Sequence, residues 1–330
     1  MSYNHLSLTD RHYIEIEIKN GTSQNTIAAK LKRSQGTISR EIKRNTGMKG
    51  YRHKQAHSKA EERHKMKAKA IKLTPEITSI IDKLLEEKWS PEQIAGRLRK
   101  DKVISLHHET IYNYILADKK AGGNLYTYLR HQNKTYRKRY GHARNKSGIP
   151  NRVDIDERPK IADNRKRIGD WEFDTIVGKN HKGAIVTMDE RKSKLRLAAP
   201  LIGKKGKLVL AAMIKLLTPI KKFVLTATFD NGKEFTLHEQ FGKIMKCDTY
   251  FAKPYHSWER GQNENANGLL RQYFPKKMEL NNIPEKEVYD AVDKLNSRPR
   301  KILGYLTPYE AFEKFTGIKI KNLQGYAFMT

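Results

Sequence analysis

The chain has 330 residues, room for two domains or more, and its 66 Lys and Arg against 36 Asp and Glu leave a formal net charge of +30. A charge that large repels itself in a compact state, so the composition points to a polyanionic partner, although a ribosomal or chromatin-like basic protein fits the same numbers. No apolar run reaches the about 18 residues needed to span a bilayer, since the longest, Leu208 to Leu217, is broken by Lys215; the single cysteine, Cys247, excludes an internal disulfide and a Cys-rich zinc site. Met1 to Asp10 lack the apolar core of a signal peptide, so the expected setting is a reducing cytoplasm, with nucleic acid as the partner and no membrane.

From Leu8 to Ile42 apolar residues recur at helical spacing: Ile14 and Ile18, then Ile27, Ala28 and Leu31, then Ile38 and Ile42. Gly21 closes the first predicted helix, Thr22 or Ser23 caps the second, and Ser34 caps the third. Two short helices joined by a tight turn after a longer one make a helix-turn-helix over residues 1–46. Its last helix presents Thr37, Ser39, Arg40, Lys43 and Arg44, a polar set suited to the major groove of DNA. A Lys/Arg/His-rich connector over 47–73 contains only two acids, Glu61 and Glu62.

The theme repeats over 74–118. Pro75 to Glu87 carries Ile77, Ile80, Ile81 and Leu84 on one stripe, and Ser90-Pro91-Glu92-Gln93 supplies a cap, a proline at the first helical position and a capping-box glutamine. A helix from His107 to Leu116 would be the reading partner, although the turn before it is long; the unit reads DNA or serves for packing or dimerisation. A basic arm follows over 119–165: between Lys119 and Val153 there are ten Lys and Arg and no acid. Arg137, Lys138 and Arg139 are its densest run, and Tyr126, Tyr128, Tyr136 and Tyr140 are interleaved. Such a segment lies along phosphates with its tyrosines stacked on bases, or is a solvated linker.

Past Arg165 the texture changes to strands. Trp171 to Val177, Ala184 to Met188 and Leu195 to Ala199 predict an antiparallel meander. A helix (Leu208 to Leu217), a strand (Phe223 to Phe229), a helix (Lys233 to Gly242), a short strand (Asp248 to Ala252) and a long helix from about Glu259 follow. A meander and then alternation is the order of a ribonuclease H-like fold. The helix from Glu285 to Leu295 has an apolar stripe that packs on this core or on another protomer, the core being the simpler reading. The expected whole is multidomain: two all-α helix-turn-helix modules, then an α/β ribonuclease H-like, integrase-type catalytic domain over 166–330.

Three acids fall where this order needs them: Asp174 mid-strand, Asp230 at the end of the fourth strand, and Glu264 early in the long helix. Carboxylates among apolar strand residues are costly to bury unless matched by cations. Hard oxygen donors from separate elements suit Mg²⁺, and a pair of such ions about 3.5–4 Å apart activates an attacking oxygen and stabilises a leaving one. Each acid alone is a weak signal, because an Asp before Asn-Gly is commonly a turn residue and a Glu near a helix start a dipole partner. Glu172 shares the strand face of Asp174 and is a supporting or alternative ligand, whereas Asp189 begins a turn and reads as structural. Arg271, two helical turns beyond Glu264, is placed to hold a DNA phosphate.

The run Gly169-Asp170-Trp171-Glu172-Phe173-Asp174-Thr175-Ile176-Val177-Gly178 resembles the first catalytic block of the insertion-sequence transposases of the IS-thirty family. Asp230-Asn231-Gly232-Lys233-Glu234-Phe235 resembles the second, and Pro254 to Gly261, Asn263-Glu264-Asn265 and Arg271-Gln272-Tyr273-Phe274-Pro275 resemble the third. From Asp230 to Glu264 is 264 − 230 = 34 positions, leaving 33 residues between, the family's spacing. Leu295-Asn296-Ser297-Arg298-Pro299-Arg300 with Leu303-Gly304-Tyr305 is similar to the closing segment, and Ser39 to Asn45 to the first recognition helix. Lys277 and Lys32 stand where the family commonly has glycine.

The resemblance implies an acidic triad of Asp174, Asp230 and Glu264 holding two Mg²⁺ or Mn²⁺ ions. It further implies the element's terminal inverted repeats as substrate, a homodimer or higher multimer on double-stranded DNA, and a place on the nucleoid in a bacterial cytoplasm. The expected activity is metal-assisted cleavage at the element's ends and joining of the 3′-hydroxyl to DNA. Two rivals stay open: a DNA-binding regulator with a non-catalytic nuclease-like domain, and a nuclease that cuts without joining.

Overall fold

The computed structural model describes residues 5–66, 72–130, 149–253 and 261–320, with the side chains of 261 and 262 excepted. The chain divides into two compact units, 1–72 and 73–330.

The first unit is helical: α1 (Leu8–Lys19), α2 (Gln24–Lys30), α3 (Gln35–Asn45) and α4 (His53–Met66). Each of the first three starts on a serine whose hydroxyl accepts a backbone N–H, Ser7 from Asp10, Ser23 from Thr26 and Ser34 from Thr37. Ile14, Ile27, Ala28 and Ile38 form the core expected from the spacing, joined by Leu6, Tyr51 and Ala56. Helix α4 lies inside the segment expected as a basic connector. Its one buried residue is Ala56, so hydrophobic periodicity gives no sign of it. Polar contacts fix it instead: Glu15 on α1 accepts from the His53 backbone N–H at 2.7 Å and from its ring at 2.6 Å. At the other end Arg63 donates to the Asn45 side chain and to the Arg44 carbonyl, where a cation also favours the C-terminus of α3.

The second unit opens with α5 (Pro75–Glu86), α6 (Pro91–Lys100) and α7 (His108–Lys120), and the Ser90–Gln93 capping box is present. Tyr126 and Tyr128 pack against this module's core, and Lys119 lies 4.2 Å over the Tyr126 ring. Both rings are half-buried, so part of each is committed to packing within the protein. Arg137, Lys138, Arg139, Tyr136 and Tyr140 lie outside the described residues.

A five-stranded mixed sheet follows: β1 (Asp170–Val177), β2 (Ala184–Glu190), β3 (Arg196–Leu201), β4 (Thr226–Phe229) and β5 (Asp248–Phe251). Its order is β3-β2-β1-β4-β5, with β1–β2 and β2–β3 antiparallel and β1–β4 and β4–β5 parallel. This is the ribonuclease H-like order expected from the sequence. One face carries Trp171, Phe173, Phe229 and Phe251 together with α9 (Gly206–Leu217) and α10 (His238–Met245). The other carries Ile176, Ile185 and Ala198 against α11 (Gly261–Leu270) and α12 (Glu285–Asn296). The stripe of α12 thus lies in the core, on Val288, Ala291, Val292 and Leu295.

Several expected boundaries shift. The fourth strand starts at Thr226, because Thr218–Phe223 form a tight helical turn around Pro219; another such turn, Lys233–Phe235, delays the next helix to His238. Ile149 and Ile155 are buried, α8 (Lys160–Asp163) precedes β1, and Phe251 donates to the Val153 carbonyl at 2.9 Å. The last part of the expected arm, from 149, is therefore built into the sheet domain. The second helical module also belongs to this unit: Arg97 on α6 meets Glu310 at 2.7 Å on α13 (Pro308–Thr316), and Tyr305 donates to Glu92 at 2.7 Å.

Candidate active site

Polar residues on the α11 side of the sheet occupy successive levels of β1 and β4. Asp170 pairs with Thr226 and Glu172 with Thr228, and the Thr226 hydroxyl donates to Asp170 at 2.8 Å. Asp174 stands two residues beyond Glu172 on the same face of β1, and Asp230 two residues beyond Thr228, directly after the end of β4. At the lower levels Arg167 pairs with Asp170, Arg158 donates to Thr228 at 2.9 Å, and Glu172 meets the buried Arg191 through Oε1, its Oε2 being buried without a hydrogen-bond partner. The engagement of Glu172 with Arg191 speaks for a supporting role at this end of the sheet.

Asp174 accepts from the Thr175 backbone N–H at 2.8 Å on Oδ1 and from the Asn267 amide at 2.9 Å on Oδ2. Asp230 accepts from the Gly232 N–H at 2.9 Å, so it does turn the chain after β4 as its Asn-Gly context suggests. The turn is secured by Asn231, which donates to the Ala252 carbonyl at 2.7 Å and accepts from Arg152 at 2.7 Å. Glu264 is exposed in the first turn of α11, one helical turn before Asn267 and on the same face, so the bond from Asn267 to Asp174 ties its helix to β1. Among the described residues no three His, Cys, Asp or Glu side chains stand close enough together to hold a metal ion. The structure thus places Asp174 on β1, Asp230 directly after the neighbouring strand β4 and Glu264 on the helix bonded to Asp174, without closing the three into a cage.

Two polar residues close to the acids had no role assigned from sequence. Glu234 accepts from the Thr175 hydroxyl and from Lys204, both at 2.7 Å, which joins β1 to the turn after β4. Burial alone would raise its carboxyl; Lys204 and Thr175 outweigh that and hold it below the usual range. Asn267 is the other. Glu234 stands within the second motif run and Asn267 just past Asn263-Glu264-Asn265, but only their partners reveal what they do. Asp189, read as structural, forms a buried bidentate pair with Arg196 at 2.8 and 2.6 Å.

Arg271 donates to the Val177 carbonyl at 2.9 Å and the Phe274 carbonyl at 3.4 Å, and burial lowers its pKa. It anchors the end of α11 to the end of β1, a position that sequence spacing had assigned to a phosphate. Arg130, in the basic segment, instead reaches α11, donating to Asn265 at 3.0 Å. In the first unit Arg40, Lys43 and Arg44 are exposed on α3, while Thr37 and Ser39 are half-buried and the Thr37 hydroxyl lies 2.9 Å from that of Ser34.

A helical unit with an exposed basic helix, and a mixed sheet bearing Asp174 within one strand and Asp230 just past the end of its parallel neighbour, together define a DNA-processing enzyme. A helix-turn-helix domain model matches residues 2–45 and a homeodomain-like domain model residues 37–115. The transposase for insertion sequence element IS4351 of Bacteroides fragilis is 46% identical over 259 residues, covering 78% of this chain and 79% of that protein. Transposase InsI for insertion sequence element IS30A of Escherichia coli K12 is 34% identical over 323 residues, covering 94% and 84%. Among solved structures, the catalytic core domain of BIV integrase matches at a TM-score of 0.34 and 23% identity, covering 47% of this chain and 97% of that one. The chain belongs to the IS30 (IS-thirty) family of insertion-sequence transposases. No described helix is long and apolar enough to cross a membrane.

Proposed function

We propose that this chain is the transposase of an insertion sequence, that it binds the terminal inverted repeats of its element, and that Asp174, Asp230 and Glu264 form its catalytic centre. The observation that supports the assignment is the bond from Asn267, on the helix of Glu264, to Asp174 on β1, beside the parallel strand β4 that leads directly into Asp230. The donor set is all carboxylate oxygen, which fits a hard divalent cation, Mg²⁺ or Mn²⁺. Two bound ions would supply activation of a water or 3′-hydroxyl and stabilisation of the leaving oxygen.

The chain's own residues do the rest. Thr175 and Asn267 orient the Asp174 carboxylate, and Gly232 orients that of Asp230. The basic segment that begins beside α11 at Arg130 supports a path for the DNA backbone toward Glu264, and its run Arg137, Lys138 and Arg139 would extend that path. In the first unit Arg40, Lys43 and Arg44 of α3 supply groove and phosphate contacts. A homodimer or larger multimer that holds both element ends completes the reading.

The test is incubation of labelled element-end DNA with Mg²⁺, for the parent and for Asp230→Asn and Glu264→Gln, scoring binding, cleavage and joining separately. The expected result is binding by all three and both products from the parent alone, with no product after chelation. Each lost ligand should slow cleavage about a thousandfold, roughly 4 kcal/mol on the barrier. Cleavage without joining in the parent would leave a simple nuclease, and binding without any reaction a regulator.

A further inference from the structure

Asn267 sits between the catalytic sheet and a buried ion pair. Its amide Nδ2 donates to Asp174 Oδ2 at 2.9 Å, and its Oδ1 accepts from Arg196 Nη2 at 2.9 Å and from the Thr187 hydroxyl at 3.3 Å. Arg196 is itself immobilised. Its Nε and Nη2 donate to the two oxygens of Asp189 at 2.8 and 2.6 Å, and its Nη1 to the Ala266 carbonyl at 2.8 Å. Its backbone is held on both sides by Asn296, which accepts from the Arg196 N–H at 3.0 Å and donates to its carbonyl at 2.8 Å. The side chains of Arg196 and Asp189 are 4% and 3% exposed, so water does not compete for these bonds.

A guanidinium only donates, so an amide beside it must present its oxygen. That leaves the Asn267 N–H₂ facing Asp174 whichever way the amide is first drawn. The reverse orientation would set the amide oxygen against a carboxylate, two acceptors without a proton between them.

We infer that Asn267 is a positioning residue for Asp174, and that the buried Asp189–Arg196 pair fixes the sense of its amide. With the Thr175 N–H on Oδ1 and Asn267 on Oδ2, both oxygens of Asp174 are oriented by the protein before any cation arrives. Outer partners that orient a ligand are typically worth about 10–100-fold in metal affinity. The inference rests on Asp174 being a metal ligand.

The experiment is a Mn²⁺ titration of the full chain without DNA, followed by electron paramagnetic resonance, with a thermal melt of each variant. Asp174→Asn tests the underlying reading; Asn267→Ala tests the positioning role without removing a charge. The combined replacement Asp189→Leu with Arg196→Met removes both buried charges together, and is measured alone and with Asn267→Ala. The expected result is about a 10–100-fold weaker Mn²⁺ affinity in Asn267→Ala with an unchanged melt. The charge-free pair should weaken binding similarly, and adding Asn267→Ala to it should cost nothing more, because no amide is left to orient. Parent-like affinity in Asn267→Ala, beside a loss in Asp174→Asn, overturns the inference and leaves the ligand reading standing. Additive losses in the combined variant overturn the orienting role of the ion pair. Parent-like affinity in Asp174→Asn overturns the ligand reading itself.

Discussion

Tyr305 lays its ring across Gly96 so closely that a Cβ added there would stand 1.9 Å from a ring carbon. Gly96 is buried within α6, and the tyrosine hydroxyl continues past it to Glu92. The contact joins the second helix-turn-helix to the carboxyl-terminal part of the catalytic unit.

This pair reverses an ordinary expectation. Alanine in place of an interior helical glycine usually stabilises by about 1 kcal/mol. Here Gly96→Ala overpacks the site, and the expected outcome is a loss of about 1–3 kcal/mol in denaturant unfolding. Adding Tyr305→Ala removes the ring, so in that background Gly96→Ala should become stabilising. The same sign in both backgrounds would refute the packing argument.

Glu172 gives a second test. It is buried against Arg191, so Glu172→Gln leaves the guanidinium without its counter-charge and should cost about 3–5 kcal/mol of stability. Its Mn²⁺ affinity, measured at a temperature where the variant is folded, should stay near that of the parent. A fall matching that of Asp174→Asn would make Glu172 a ligand instead.

The first unit has an acid-sensitive joint. Lys19, then the His53 backbone N–H and ring, hold the Glu15 carboxyl at about 2, below its usual 4.5. A carboxyl with a lowered folded value stabilises above its unfolded pKa and loses that contribution as pH falls through the folded one. The stability of this unit should therefore decline between pH 4.5 and 2. Hydrogen exchange across α1 and α4 should show a shallower decline in Glu15→Gln, and parallel curves would count against this bond.

DNA affinity should be steeply salt-dependent. Each phosphate neutralised contributes about 0.9 to the slope of log K against log salt. Alanine at Arg40, Lys43 or Arg44 should lower that slope by about one unit if the side chain contacts a phosphate. An unchanged slope with altered sequence preference would assign the side chain to a base edge.

Caps and strands were legible in the sequence because their causes are local. Ser23, Ser34 and Ser90 each bond a backbone N–H three residues on, and the alternation around Trp171 and Phe173 reports a buried strand face directly. Helix α4 was not legible, since Glu15 and Arg63 fix it through partners on other helices. The same holds for Asn267, whose orienting partner Arg196 lies 71 positions away. For Arg271, spacing gave a place two helical turns beyond Glu264, but α11 ends at Leu270 and its donors go to the carbonyls of Val177 and Phe274, which only the folded turn brings within reach.

Lys32 shows how a departure from a family pattern is absorbed. It takes a left-handed backbone, φ +51, in the turn between α2 and α3, where glycine would be at ease. Lys32→Gly is expected to stabilise the first unit by about 0.5–1 kcal/mol in thermal unfolding. Lys277, the other departure, does not have a positive φ, so the same replacement there should bring no such gain.

The division of the chain at Lys72 dictates where this protein can be recombined with its relatives. A chimera joined after the second helix-turn-helix would sever Gly96 from Tyr305 and Arg97 from Glu310, leaving a foreign surface against the carboxyl-terminal segment. A chimera joined near residue 72 keeps both units whole, so the first helical unit is the exchangeable part and the second helical module travels with the sheet.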